Sequence, residues 1–466
     1  MKTLLKSGAL LLSLLSGLVS AQALTPQQQR QMKQVEQPSE LAKELARVMD
    51  VNVLIGAAQQ YESKSEWRNL QDVYERLVQL RPHAGTIKYE LAAVYALQDE
   101  KRKAYDALIN LQVQGYAYDP REDKRFEKVA STPVYEYILK NLDANRAPFG
   151  EGKVAMTLPA GDHLYESLAF DPTRKQFLVG SVRDGSISLA DDTGKLTPFI
   201  SATKENGLWS VTDLAVDAPR NALWVASTGL PHLKGIADTD FGKAGLFKFD
   251  LKTGALIGTY LLDAKAGPFI LSALAVSSKG DVFVADDAGR RIFNIVDGKL
   301  NLYVSNPRLT SIRAMTFSPN GEVLYFADYD IGIFAIRLSD QKAIPLTPSK
   351  NLTMLGIQSM TEWNGDLIIV QNAFPPARIM RLKLRDDGAA VVQAVPVAAG
   401  RPEFTSLSQT ATAGSDVYVI SNSQKDQYDQ YGIPRDVSKL EPVKIFKANL
   451  DVTIDPRGGQ VRPLGG

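Results

Sequence analysis

The chain has 466 residues, of which 44% are hydrophobic, with 53 Lys and Arg against 52 Asp and Glu and no cysteine. The length exceeds one ordinary domain and the apolar content can fill substantial cores, so two domains are expected. Balanced charge argues against nucleic acid or an anionic membrane as partner, and the absence of cysteine removes disulfides, thiolate chemistry and a lipid-bearing cysteine anchor.

Residues 1–23 place Lys2 and Lys6 before an apolar run over 9–19, followed by the small residues Ala21 and Ala23. This is the pattern of a secretory signal, cleaved after Ala21 or Ala23. The run is short for a bilayer span. The mature chain is therefore expected in the periplasm or secreted, with no stable membrane insertion.

Residues 24–145 form the first predicted domain, helical from about Pro38 onward because apolar and small residues recur at three- and four-residue steps. Ala58 and Tyr61 return as Ala92 and Tyr95, and Leu77 as Leu111, each after 34 residues. This period resembles that of tetratricopeptide repeats, with Pro82 ending a helix pair and residues 122–142 supplying capping helices. Two uses are open: a peptide-binding groove, or a structural cap on the next domain.

From residue 150 to the C-terminus the period changes to two, with short Val, Ile and Phe runs between Gly, Asp and Pro turns. "ESLAFD" with "QFLVGS" recurs as "TDLAVD" with "ALWVAS", then "SALAVS" with "DVFVAD", "RAMTFS" with "VLYFAD", "QSMTEW" with "DLIIVQN", and "SQTATA" with "DVYVISN". Six strand pairs with short loops inside each unit and variable loops between units predict an all-β six-bladed propeller, closed by residues 153–159 on the last blade. A two-sheet sandwich would not require six equivalent units.

In such a blade the first residue of the inner strand and the last of the antiparallel second strand lie at one mouth of the central channel. Those positions are Glu166, Thr212, Ser272, Arg313, Gln358 and Ser408, with Ser181, Ser227, Asp286, Asp328, Asn372 and Asn422, all polar. They form a candidate ligand site, in which Glu166 and Arg313 stand across the channel and either clamp a zwitterion or neutralise each other. Turn-forming Asp, Asn and Ser at strand ends also occur for backbone reasons alone. His163, just ahead of the first blade, is the one histidine placed near this mouth, where it can serve as a general base. His83 and His232 lie elsewhere in the sequence, and the chain has neither an HExxH nor a GxSxG motif.

At these residues, over about 150–450, the chain resembles the gluconolactonase/regucalcin family and the wider group of NHL-repeat and strictosidine-synthase-like propellers. The resemblance implies a divalent cation (Ca or Zn) in the channel, held by a first-blade Glu, matched by Glu166, together with later Asn and Asp residues. At the inner strand starts this chain instead carries Ser272, Arg313 and Gln358, so no tight metal is expected. If one is present, Glu166, Asp286 and Asp328 are its ligands, with Asp213 and Asn372 as further oxygen donors. A long insertion over 228–245 leaves the second blade at the mouth and is expected to act as a lid or to pack on the helical domain.

Two functions follow: an exported binding or assembly protein that recognises a partner protein or small ligand through the repeats and the mouth, or a metal-assisted hydrolase of the gluconolactonase-like class. The first is favoured, because a complete catalytic set is missing.

Overall fold

The computed structural model describes residues 38–451, so the predicted signal segment lies outside the described residues. Six four-stranded sheets follow one another along the chain, each with its strands in sequence order except the last. Lys153–Leu158 joins that last sheet by antiparallel pairing with Val443–Asn449, which ties the start of the propeller to its end. The fold is a six-bladed β-propeller closed as expected.

The inner strands are Tyr165–Asp171, Ser210–Asp217, Leu271–Val276, Ile312–Phe317, Ile357–Trp363 and Thr410–Ala413 for blades 1 to 6. Neighbouring inner strands touch around the ring. The alternation read in the sequence buries apolar side chains on both faces of each blade, and an apolar cluster fills each of the six gaps between neighbouring blades. The gap between blades 1 and 2, for example, is packed by Leu178 and Ile187 against Val211 and Leu223, all fully buried.

Ahead of the propeller lie helices α1 (Glu40–Leu45), α2 (Val51–Ser63), α3 (Trp67–Leu80), α4 (Gly85–Leu97), α5 (Lys101–Val113) and α6 (Pro133–Arg146). Local chemistry sets their starts: Asp50 accepts from the amides of Asn52 and Val53 to cap α2, and Thr132 with Pro133 opens α6. α4 and α5 begin 34 residues after α2 and α3 respectively. Ala58, Ala92, Leu77 and Leu111 are all buried between the helices, as their spacing requires.

The helical unit sits on blade 5. Phe374, in the loop after strand Asp366–Gln371, enters the helical core with its ring centroid 4.4 Å from that of Tyr116. The Tyr116 hydroxyl donates to the His83 carbonyl at 2.6 Å and meets Thr353 Oγ1 at 3.0 Å. Two glycines make room for this joint. A Cβ on Gly85 would strike the Tyr116 ring at 2.2 Å, and Gly115, at φ +81°, lets Arg378 pass where a Cβ would lie 2.2 Å from Nη1.

Candidate functional site

The inner strands share a local irregularity that shapes the mouth. In blades 1 to 5 the pairing with the second strand slips at Glu166, Thr212, Ser272, Arg313 and Gln358, so each is the extra residue of a β-bulge. A bulge frees a residue from the ladder and turns its side chain away from regular alternation, which is why a polar residue is tolerated there. Blade 6 keeps the device one residue later than expected. Ile420 bonds both the Ser408 amide and the Gln409 carbonyl, which makes Gln409 rather than Ser408 the counterpart of Glu166.

Opposite the bulges, the second strands end at Ser181, Thr228, Asp286, Asp328, Gln371 and Ile420. Asn372 lies one residue past its strand and Asn422 two past, so the sixth-blade counterpart of Asp286 is the apolar Ile420. Asn372 instead ties loops together, accepting from Tyr329 Oη at 2.8 Å and donating to the Leu407 carbonyl at 2.8 Å. Asn422 accepts from the Lys444 amide and donates to the Pro442 carbonyl within its own blade.

The polar residues at the second-strand ends hold the loop that enters the inner strand. Asp328 accepts from the amides of Thr310, Ser311, Asp330 and Ile331 and from Thr310 Oγ1. Asp286 accepts from the Ile270 and Gly289 amides and from Arg291 Nε and Nη2, the latter at 2.7 Å. Ser227 accepts from the Trp209 amide, and Gln371 donates to the carbonyls of Thr353 and Leu355. Both aspartates are fully buried, with their oxygens engaged by donors.

Glu166 and Arg313 have separate partners. Glu166 Oε2 accepts from Ser408 Oγ at 3.2 Å, while Oε1 is buried without a hydrogen-bond partner among the described residues. Arg313 Nε donates to Ser311 Oγ at 2.6 Å and Nη2 lies 3.4 Å from Asp287 Oδ2, so its counter-charge is Asp287, a neighbour that the sequence reading passed over. Arg313, Asp213 and Gln409 line a central channel of about 240 Å³. Asp213 accepts from the amides of Leu214 (2.8 Å) and Leu274 (2.7 Å), joining blades 2 and 3, and burial pushes its carboxyl up to about 7 despite those two donors. Gln358 is half-buried at its bulge.

The implied divalent cation can be tested on these residues. Among the described residues no three His, Cys, Asp or Glu side chains come together as metal ligands. Asp286 and Asp328 present their oxygens to amide and guanidinium donors, a donor set that competes with a hard cation. The residues named for the metal do not fit it.

His163, just ahead of the first inner strand, belongs to a polar cluster around blade 1. Its Nδ1 is 2.6 Å from Asp184 Oδ2, and its ring stacks on Tyr165 at 5.3 Å. Burial works against the Asp184 carboxylate, but hydrogen bonds from Lys234, His163 and Ser181 hold it below the usual range. Lys234 belongs to the insertion over 228–245, whose His232 carbonyl accepts from Arg183. Leu230 packs with Leu164, Val182 and Tyr428, and His232 approaches Gly432 closely. The insertion thus crosses blade 1 to reach blade 6, and does not take the alternative course onto the helical unit, which sits on blade 5.

A second cavity, of about 600 Å³, opens between α3, α4, α5 and the propeller loop 348–352. Its polar walls include His83, Lys88, Asn110 and Gln114, none of which carried a motif in the sequence.

No protein-family model and no curated protein sequence matches the chain. Among solved structures it is similar to the major allergen Mala s 1 of Malassezia sympodialis, at 15% identity and TM-score 0.47, covering 65% of this chain and 98% of that one. It is also similar to a gluconolactonase of Xanthomonas campestris, at 12% identity and TM-score 0.43 over 66% and 92% of the two chains. A third is the calcium-binding protein regucalcin of Agrobacterium tumefaciens, at 13% identity and TM-score 0.41 over 64% and 96%. Such likeness concerns the fold alone.

Proposed function

We propose that this chain is an exported binding protein, periplasmic in a bacterial cell, in which helical repeats of tetratricopeptide type and the propeller act as one rigid receptor for a small ligand or partner. The observation that carries this reading is the joint. Tyr116, Phe374, Thr353 and Arg378 lock the two units together through buried contacts, and the cavity beside that joint takes its walls from both. A rigid composite cleft holds a ligand without the ordering cost of a hinged one.

The hydrolase reading needs a cation on Glu166, Asp286 and Asp328, two of which already serve backbone and arginine donors. The test is native mass spectrometry of the chain purified from a periplasmic fraction. A mature mass beginning at Gln22 or Leu24, with a non-covalent ligand released on denaturation, is the expected result. A chain retained whole in the cytosol, or one that hydrolyses a gluconolactone with stoichiometric metal, would overturn the proposal.

A further inference from the structure

Lys88, on α4, is buried at the wall of the 600 Å³ cavity with 9% of its surface exposed. Its Nζ donates to Asn110 Oδ1 at 3.0 Å and to Gln114 Oε1 at 2.8 Å, both neutral. An ammonium has three donors, so one remains beyond these two bonds. The end of α5, where Asn110 and Gln114 lie, adds the partial negative charge of a helix C-terminus, which is less than a full counter-charge.

The other charged or titratable groups around the cavity are engaged elsewhere or share its sign. Asp106 is a solvated carboxylate at the rim, its side chain 70% exposed and 3.8 Å from Arg102, Lys103 pairs with Glu100 at 2.7 Å, and the Tyr95 hydroxyl donates to Glu75. Lys350 contributes a second positive charge from the propeller loop. His83 also lines the cavity, with a buried Nδ1 that has no hydrogen-bond partner among the described residues. Apart from Ser349, the remaining wall is apolar and includes Val78, Leu91, Ala107 and Leu352.

We propose that this cavity binds a small amphipathic carboxylate, its carboxylate oxygens accepting from Lys88 Nζ and His83 Nδ1 and its apolar body lying against Val78, Leu91 and Leu352. The inference rests on the proposed role of the cleft as a binding site and adds the chemical class of its ligand. A carboxylate is an acceptor-only group that meets two donors at once, and charge-assisted bonds of this kind are about twice as strong as neutral ones. Burial lowers the Lys88 ammonium to about 8 and the His83 imidazole to about 4, the latter also by repulsion from Lys88. His83 is therefore neutral at pH 7 and able to offer Nδ1–H in one tautomer. An anion on Lys88 restores its affinity for a proton, so binding near pH 8 takes up protons.

The experiment is titration calorimetry of the full mature chain with octanoate and with 1-octanol, which shares its apolar body and lacks the charge. Octanoate is expected to bind about tenfold more tightly at pH 7. The preference should fall by pH 9.5, and the heat at pH 8 should depend on the ionisation enthalpy of the buffer. Lys88→Met, shown folded by circular dichroism, should bring the two probes to within about twofold by removing the charged donor. Equal affinities at pH 7, or a preference that survives Lys88→Met, would overturn the anionic assignment while leaving the cleft as a binding site. If neither probe binds, the inference fails together with the binding role of this cleft.

Discussion

Arg378 Nη1 donates a hydrogen bond to the Gln114 carbonyl at 2.9 Å, across 264 residues of sequence, and so places a guanidinium from blade 5 at the C-terminal end of α5. The side chain is buried and, among the described residues, meets no carboxylate; its Nε donates to Gln371 Oε1 at 2.8 Å and its Cζ lies 4.9 Å from the Phe374 ring centroid. Burial lowers its pKa to about 10, opposed by its electrostatic interaction with the Tyr116 hydroxyl.

Truncating this bolt should loosen the joint before the propeller. Arg378→Ala leaves two acceptors unmet and a void between the units, a loss of about 3 kcal/mol. Hydrogen exchange should show it as faster exchange over α4 and α5, with the blade 2 and blade 3 strands unchanged. Uniform exchange throughout would mean that the joint does not depend on Arg378.

The second-strand ends predict a graded series. Asp328→Ala strands four backbone amides and the Thr310 hydroxyl, and should cost at least about 3 kcal/mol in urea denaturation. Ser227→Ala removes a single acceptor, for the Trp209 amide, and should cost about 1 kcal/mol. Similar losses at both sites would contradict the loop-holding role assigned to these positions.

The blades were legible because most inner strands are rich in apolar residues and each carries a polar residue at a fixed place, which is the bulge. Register failed where the markers were weak. In "SQTATA" the small polar residues give no contrast between faces, which moved Ser408 into the place of Gln409, and the adjacent polar pair Gln371 and Asn372 hid which one ends the strand. A strand-end aspartate that holds a loop and one that holds a ligand are the same letter, so the roles of Asp286 and Asp328 emerged only with their donors in view. The 34-residue spacing exposed the helix pairs, whereas Lys88, Arg378 and the cleft depend on contacts between distant segments that no local pattern encodes.

Arg313 should couple to Asp287 and not to Glu166. The Arg313–Asp287 separation is 3.4 Å with side chains 31% and 18% exposed, which suits a coupling of about 0.5–1 kcal/mol in a double-mutant cycle of Arg313→Gln with Asp287→Asn. The cycle of Arg313→Gln with Glu166→Gln should be additive within about 0.5 kcal/mol. The opposite ranking would restore the cross-channel pair expected from the sequence.

Asp213 makes stability depend on pH with a defined sign. Its folded pKa, about 7, lies above the 3.8 of an ordinary aspartate because burial disfavours the charged form. Between those values the folded chain holds a proton that the unfolded chain has released, so the contribution of Asp213 is fully present below about pH 4 and is lost as the pH rises through about 7. The slope in that window is about 1.4 kcal/mol per pH unit. Asp213→Asn cannot titrate, although its amide serves the Leu214 and Leu274 amides less well than two carboxyl oxygens do. The stability of the unsubstituted chain minus that of Asp213→Asn should therefore shrink by roughly 2–3 kcal/mol between pH 5 and pH 8 in chemical denaturation. A constant difference across that range would show Asp213 already ionised at pH 5, with the two backbone amides outweighing its burial in the wall of the channel.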